Sequence, residues 1–319
     1  MNNSFFAPAP PTVAVEIARH RVSAATISFR DGKLAVSAYA TEPLPEGAVL
    51  PSLNATNIPD AKAVGAVLRK ALERIGARPK RVALAIPDSV AKVSLLKFDK
   101  VPERRKDLDE LIRWQVRKAA PFRIEDAQLS YVPSLKSTDG GSEFIVVIAR
   151  KDIVRDYESV CDEVGAHAGV VDLASFNVIN AVLAGASAPA DDWLLVHVTQ
   201  EDATIAILRG EHVVFFRNRA TDGEATLADM VHQTAMYYAD RLSGAGFGRV
   251  VLAGAASPQV LGGQDVEYLR RALEQRLGTK VDAVDPRHAA TLMDRISANA
   301  ELLDGLAPLV GLLARERAA

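Results

Sequence analysis

The stretch from Val13 to Ala40, VAVEIARHRVSAATISFRDGKLAVSAYA, decides the fold. It divides into three apolar or alternating runs, the pattern of strands joined side by side. Two turns separate them. Asp31-Gly32 is ordinary hairpin chemistry, because glycine supplies the positive φ that a tight turn needs. Ala18-Arg19-His20-Arg21 contains neither glycine nor asparagine, and it carries basic side chains at Arg19 and Arg21 and a titratable one at His20. A sharp turn without turn residues implies that the fold requires a hairpin at that place.

The arrangement returns from Leu194, in LLVHVTQEDATIAILRGEHVVFFRNRA. The first turn is again polar, Thr199 to Asp202, and the second again contains glycine, Arg209-Gly210. A helix-period stretch follows each triplet. Ala61 to Ile75 aligns Val64, Val67, Leu68, Ala71, Leu72 and Ile75 on one stripe. Ala225 to Leu242 offers Leu227, Met230, Val231, Tyr237 and Tyr238 to a core. A further strand closes each unit, RVALAIP at Arg81 and RVVLAG at Arg249. A strand–strand–strand–helix–strand unit thus occurs twice, about 180 residues apart.

Two such lobes facing each other form an α/β, actin-like two-lobe fold of duplicated ribonuclease H-like units. In that fold ATP phosphates lie between the first hairpins of the lobes. Between the copies lies an insertion of strands, a helix over Glu103 to Ala119 ended by Pro121, and two more strands around Asp139-Gly140-Gly141. Leu108, Leu111, Ile112, Val116 and Ala119 fall on one face of that helix, enough to pack on a sheet. Its acids come early and its bases late, as the helix dipole prefers. The expected organisation is 1–79 and 151–190 for the first lobe, 80–150 for an inserted small subdomain, and 191–319 for the second lobe.

Composition narrows the function classes. The 319 residues are 49% apolar and 24% charged with net charge −2, a globular balance without electrostatic bias toward nucleic acid. A single cysteine, Cys161, excludes an internal disulfide and fits a reducing compartment. The histidines are scattered, without the paired spacing of a zinc site. No window approaches the roughly 20 apolar residues of a membrane helix, and MNNSFFAPAPPT lacks the features of a signal peptide. The expectation is a cytoplasmic protein without direct membrane insertion.

The segment LDELIRWQVRKAAPFRIEDAQLSYVP resembles the type IV pilus assembly protein PilM family, relatives of the cell-division protein FtsA. Ile112-Arg113-Trp114 with Pro121-Phe122 carries the resemblance, and VVLAGAASPQVLGG and LAPLVGLLARE are similar to the family's closing segments. The resemblance implies a place at the cytoplasmic face of a pilus or related secretion machine. It also implies a partner, the N-terminal tail of a PilN-like membrane protein, docked between the first lobe and the inserted subdomain. Cytoplasmic pilus motor ATPases are the further partners it suggests. On this basis Leu111, Arg113, Trp114, Arg117 and Phe122 are the candidate partner-binding residues, with Trp114 either flanking the groove or packing on the subdomain's own sheet.

Actin-like proteins hold ATP phosphates with Asp-x-Gly in each lobe, the carboxylates serving the magnesium shell and the glycine admitting backbone N–H groups. Here the first site reads Glu16-Ile17-Ala18 followed by Arg19, and Ser23 stands where PilM relatives carry lysine. The second reads His197-Val198-Thr199, and the adenosine-side glycine run becomes Gly254-Ala255-Ala256. Glu16 retains reach to a magnesium-bound water, whereas His197 is a poor ligand for a cation that prefers oxygen. The vestigial nucleotide site therefore comprises Glu16, Ala18, Arg19, Ser23, His197, Thr199 and Gly254. The expectation is a non-catalytic adaptor with no cofactor. The alternative is an ATP-binding enzyme or nucleotide switch of the actin/sugar-kinase superfamily, retaining ATP and magnesium in an unorthodox pocket.

Overall fold

The computed structural model describes residues 10–30, 33–136, 141–185, 191–221, 226–257, 260–293 and 296–318. The turn at Asp31-Gly32 and the Asp139-Gly140 pair lie outside the described residues. The opening stretch forms an antiparallel meander of β1 (Val13–Ile17), β2 (Arg21–Arg30) and β3 (Lys33–Pro43). α1 (Ala61–Arg74) returns the chain so that β4 (Arg81–Ile86) pairs parallel with β1. Asp60 starts α1 by accepting the amides of Lys62 and Ala63, two of the donors a helix start leaves open. Val64, Leu68, Ala71 and Leu72 bury the expected stripe.

The insertion follows as β5 (Ala91–Phe98), α2 (Arg105–Arg117), β6 (Ala127–Lys136) and β7 (Ser142–Arg150), a separate antiparallel sheet in the order β5-β7-β6. α2 covers one face, with Ile112 and Val116 against Phe144, Val146 and Ile148. Strand alternation sends Ile145, Val147 and Ala149 to the other face. Because β4 belongs to the large sheet, the inserted unit begins only after Pro87, not at residue 80. Ala119, expected on the buried face, is exposed beyond the helix end.

α3 (Lys151–Asp162) and β8 (His167–Leu173) return to the first lobe, and α4 (Ala174–Gly185) leads out of it. The second lobe comprises β9 (Trp193–Val198), β10 (Asp202–Arg209), β11 (His212–Ala220), α5 (Leu227–Arg241), β12 (Arg249–Ala253), α6 (Val266–Leu277) and β13 (Val281–Ala283). Its sheet order, β11-β10-β9-β12-β13, repeats β3-β2-β1-β4-β8 of the first lobe. The register repeats as well. Glu16 faces Ser23 and Ala85 on its neighbouring strands, and His197 faces Thr204 and Ala253 on its own. This is the actin-like two-lobe fold, with Glu16 and His197 as equivalent positions.

The chain end departs from the expected boundary. β14 (Ala290–Leu292) pairs with β3, and α7 (Ala300–Ala318) packs Leu306, Leu309, Val310 and Leu313 on the first lobe's Ala14, Ile27, Val36 and Ala85. α4 reciprocates by packing Val178, Ile179 and Val182 against Trp193, Leu195 and Leu208 of the second lobe. Each unit's last helix thus covers the other unit's sheet, so residues from 290 onward join the first lobe rather than the second. In the second lobe Tyr238 is buried as expected, whereas Tyr237 is 48% exposed and leans on Phe215.

Candidate functional site

The β1–β2 and β9–β10 turns face each other across a cleft of about 520 Å³ between the lobes. Glu16, Ala18, Arg19, His197, Thr199 and Gly254 all line it. Ser23 does not: it is fully buried and its hydroxyl donates to Thr41 Oγ1 at 3.3 Å.

Both turns close in the same way. The amide of Ala18 donates to the Arg21 carbonyl at 3.0 Å, and that of Thr199 to the Asp202 carbonyl at 2.8 Å. Neither turn holds a residue at positive φ, so neither needs glycine, which accounts for the sequence of the first. Thr199 Oγ1 also accepts the amides of Glu201 and Asp202, at 3.3 and 3.1 Å. In the loop after β12, the Ala256 amide donates to Asp304 Oδ2 of α7 at 2.7 Å. A Cβ on Gly254, at φ +82, would lie 2.0 Å from the Val198 carbonyl oxygen. That glycine is required by backbone contact with β9. The amides of Ala18, Thr199, Glu201, Asp202 and Ala256 are thus occupied by the chain's own oxygens.

The charges follow the same logic. Glu16 Oε2 accepts from Arg21 Nη2 at 3.2 Å, and Glu16 beside it raises the Arg21 guanidinium pKa. Across the cleft, Glu201 Oε1 lies 2.6 Å from His20 Nε2 and 3.4 Å from Arg19 Nε. His20 and Glu201 are separated by 181 residues, the same offset as Glu16 and His197 (197 − 16 = 181). Equivalent turn positions therefore meet across the cleft. Asp88, Asp202, Glu301 and Asp304 add further acids to the lining.

Asp88 and Asp304 did not stand out in the sequence. The loop after β4 carries Asp88, whose carboxylate accepts the Ser175 amide at 3.1 Å, the Thr204 hydroxyl at 2.8 Å and the Ser175 hydroxyl. His197 Nδ1 sits 2.7 Å from Ser175 Oγ. With its proton on Nδ1, His197 donates to Ser175, which donates to Asp88. Burial pushes the carboxyls of Asp88, Asp202 and Asp304 upward and the His197 imidazole downward. The available signal for Asp88 was its position after the fourth strand of its unit, matching the Gly254 loop of the other. Asp304 had none, because only the packing of α7 brings it here.

These residues do not fit ATP with magnesium. The buried imidazole of His197 is a poor ligand for a cation that prefers oxygen, and Glu16 is already paired with Arg21.

A second cavity of about 520 Å³ lies between the inserted subdomain and the first lobe. Consecutive residues of β6, from Ser130 to Ser134, and of β8, from Ala168 to Leu173, line it, as happens when strands present edges rather than faces. Both are edge strands of their sheets. Ile145 and Val147 of β7 and Phe176, Ile179 and Leu183 of α4 supply apolar walls. Leu111, Arg113, Trp114, Arg117 and Phe122 are absent from this lining. α2 and Phe122 pack with the Phe144 side of the sheet, whereas the groove takes the Ile145 side.

The family model of the type IV pilus assembly protein PilM matches residues 14–246. The chain belongs to the PilM family. A solved PilM-PilN type IV pilus biogenesis complex is similar in fold, at 18% identity over 97% of this chain and 99% of that one, with a TM-score of 0.82. The cytoplasmic domain of EpsL, from the type II secretion system of Vibrio cholerae, aligns at 9% identity over 96% and 93%, with a TM-score of 0.47. A Bacteroides thetaiotaomicron protein with an actin-like ATPase fold aligns at 13% identity over 85% and 89%, also with 0.47. No curated protein sequence matches the chain. Among the described residues no helix is long and apolar enough to cross a membrane.

Proposed function

We propose that this PilM-family protein is a non-catalytic adaptor of a type IV pilus inner-membrane platform, and that the groove between β6 and β8 receives the N-terminal tail of a PilN-like membrane protein. The observation that carries the reading is the pair of strand edges, β6 and β8, that line one apolar groove and have no further strand beside them among the described residues. An extended peptide can add its backbone hydrogen bonds to such an edge while its side chains enter apolar pockets. Pro133 in β6 fits an edge, since it has no N–H to offer a neighbouring strand. The groove also touches the second lobe, where Ser134 Oγ donates to the Val213 carbonyl at 3.1 Å. Tail binding there would brace the subdomain against both lobes, a suitable surface for further contact with cytoplasmic motor ATPases. Membrane association would then come through the partner.

The test is the affinity of a synthetic PilN N-terminal tail peptide for the full chain, measured with melting temperature. Val132, 45% exposed on β6, and Val170 on β8 are the probes. Val132→Asp is expected to weaken binding at least about tenfold, the size of a small hot spot, with folding retained. Because Val170 also packs on the first lobe's core, its probe is the milder Val170→Ala, expected to weaken binding by a smaller factor. Equal binding by wild type and both variants overturns the groove assignment.

A further inference from the structure

The exposed face of α2 has no role in the groove, and its composition is unusual. At about 100° per residue, Trp114 stands roughly opposite the line through the buried Ile112 and Val116. It is 59% exposed, whereas the chain's other tryptophan, Trp193, is fully buried. Leaving an indole in water forfeits burial that most tryptophans obtain. Around it stand Arg113, Arg117 and Lys118, all exposed, with Lys118 Nζ 5.4 Å from the indole centroid. Among the described residues these cations meet no carboxylate. The acids of the helix lie N-terminal to Trp114, and Asp109 is turned to the Tyr131 hydroxyl at 2.6 Å. Arg117 and Lys118 complement the helix dipole, but the dipole explains neither Arg113 nor an exposed indole between them.

We propose that this face, centred on Trp114 with Arg113, Arg117 and Lys118, is a peripheral docking surface for an anionic lipid bilayer. The argument is charge complementarity combined with shape. A helix directed away from its own core presents a ridge, which suits a flat surface better than the concave site an anchoring side chain needs on a protein. Arginine and lysine side chains meet anionic headgroups, and an indole settles at headgroup depth. The apolar side of α2 stays in the subdomain core, so the contact is superficial and requires no unfolding. The inference stands apart from the tail reading, because α2 and the groove use opposite faces of one sheet.

The experiment uses the full chain, without any tail peptide, and phosphatidylcholine vesicles with and without phosphatidylglycerol. Trp193 is already buried, so a change in tryptophan emission reports Trp114. Co-sedimentation and a blue shift are expected with the anionic vesicles only, and both should fade as salt is raised. Each cation near the surface is worth about fivefold in partitioning, so neutralising Arg113, Arg117 and Lys118 to Gln should lower it about 100-fold. Trp114→Phe should abolish the emission shift while the protein still sediments. Melting temperatures keep the variants interpretable. Absence of sedimentation at low salt, or equal partitioning of wild type and the triple variant, overturns the proposal. Salt-dependent binding of polyglutamate through the same residues, with no binding to vesicles, would instead assign the face to an acidic protein segment.

Discussion

Asp88 shows how a single side chain joins three parts of the molecule. From the entry of the insertion it accepts hydrogen bonds from the start of α4 and from β10. Asp88→Ala should cost about 1–3 kcal/mol, because the Ser175 amide and the Thr204 hydroxyl lose their acceptor. Asp88→Asn keeps an acceptor and removes a buried charge, so its stability in denaturant titrations at pH 7 should fall within about 1 kcal/mol of wild type. The raised carboxyls of Asp88, Asp202 and Asp304 contribute stability in acid that is lost as pH rises through their folded values. His197 acts in the opposite sense. Its folded pKa lies below the ordinary value of about 6.5, so its contribution is present at neutral pH and declines as pH falls below that value. In His197→Asn, the drop in melting temperature between neutral and mildly acidic buffer should be smaller than in wild type. Trp114→Ala should change stability by about 0.5 kcal/mol or less, while Trp193→Ala in the core should cost about 3–5 kcal/mol.

Among the elements, α4 and α7 hold the lobes together, each resting on the sheet of the other unit. Their approach is close enough that a Cβ on Gly311 would lie 1.7 Å from the Asn177 carbonyl oxygen and 2.8 Å from the Ala181 amide nitrogen. Helix propensity alone favours Gly311→Ala by about 1 kcal/mol. Backbone atoms cannot give way like a flexible side chain, so the substitution should instead destabilise by about 1–3 kcal/mol. Thermal unfolding checks the sign, and a stabilised variant would show that the two helices can separate at little cost. α2 illustrates the limit of pattern reading at this scale. The spacing of Ile112 and Val116 was enough to predict a sheet-covering face. It could not say which side of that sheet the groove would occupy, since β7 presents apolar residues to both.

For the whole molecule, the contacts of Glu201 with His20 and Arg19 cross the cleft and tie the turn of one lobe to the turn of the other. Millimolar ATP binding at micromolar affinity would add about 4 kcal/mol of stability. Melting temperature with Mg-ATP is expected to stay where it is without it, and a rise of several degrees would restore the nucleotide-switch reading. The complementary variant carries Glu16→Asp, Ala18→Gly, His197→Asp and Thr199→Gly, with Glu201→Ala to open the gap. Any gain of nucleotide-dependent stabilisation should appear there and not in wild type.

The amino-acid sequence by itself determined the duplicated units, the position of both glycine-free turns and the absence of an Asp-x-Gly at either of them. Those features are written in local periodicity and in which residues stand at a hairpin, so nearest neighbours along the chain suffice to set them. The tertiary structure decided the reciprocal exchange of α4 and α7, the start of the inserted subdomain after β4, and the arrival of Asp304 at the Ala256 amide. It also decided that Trp114 faces solvent away from the groove. The physical reason is that an apolar stripe states how much surface must be buried but not against which partner, and that choice is made by contacts between segments far apart in the chain.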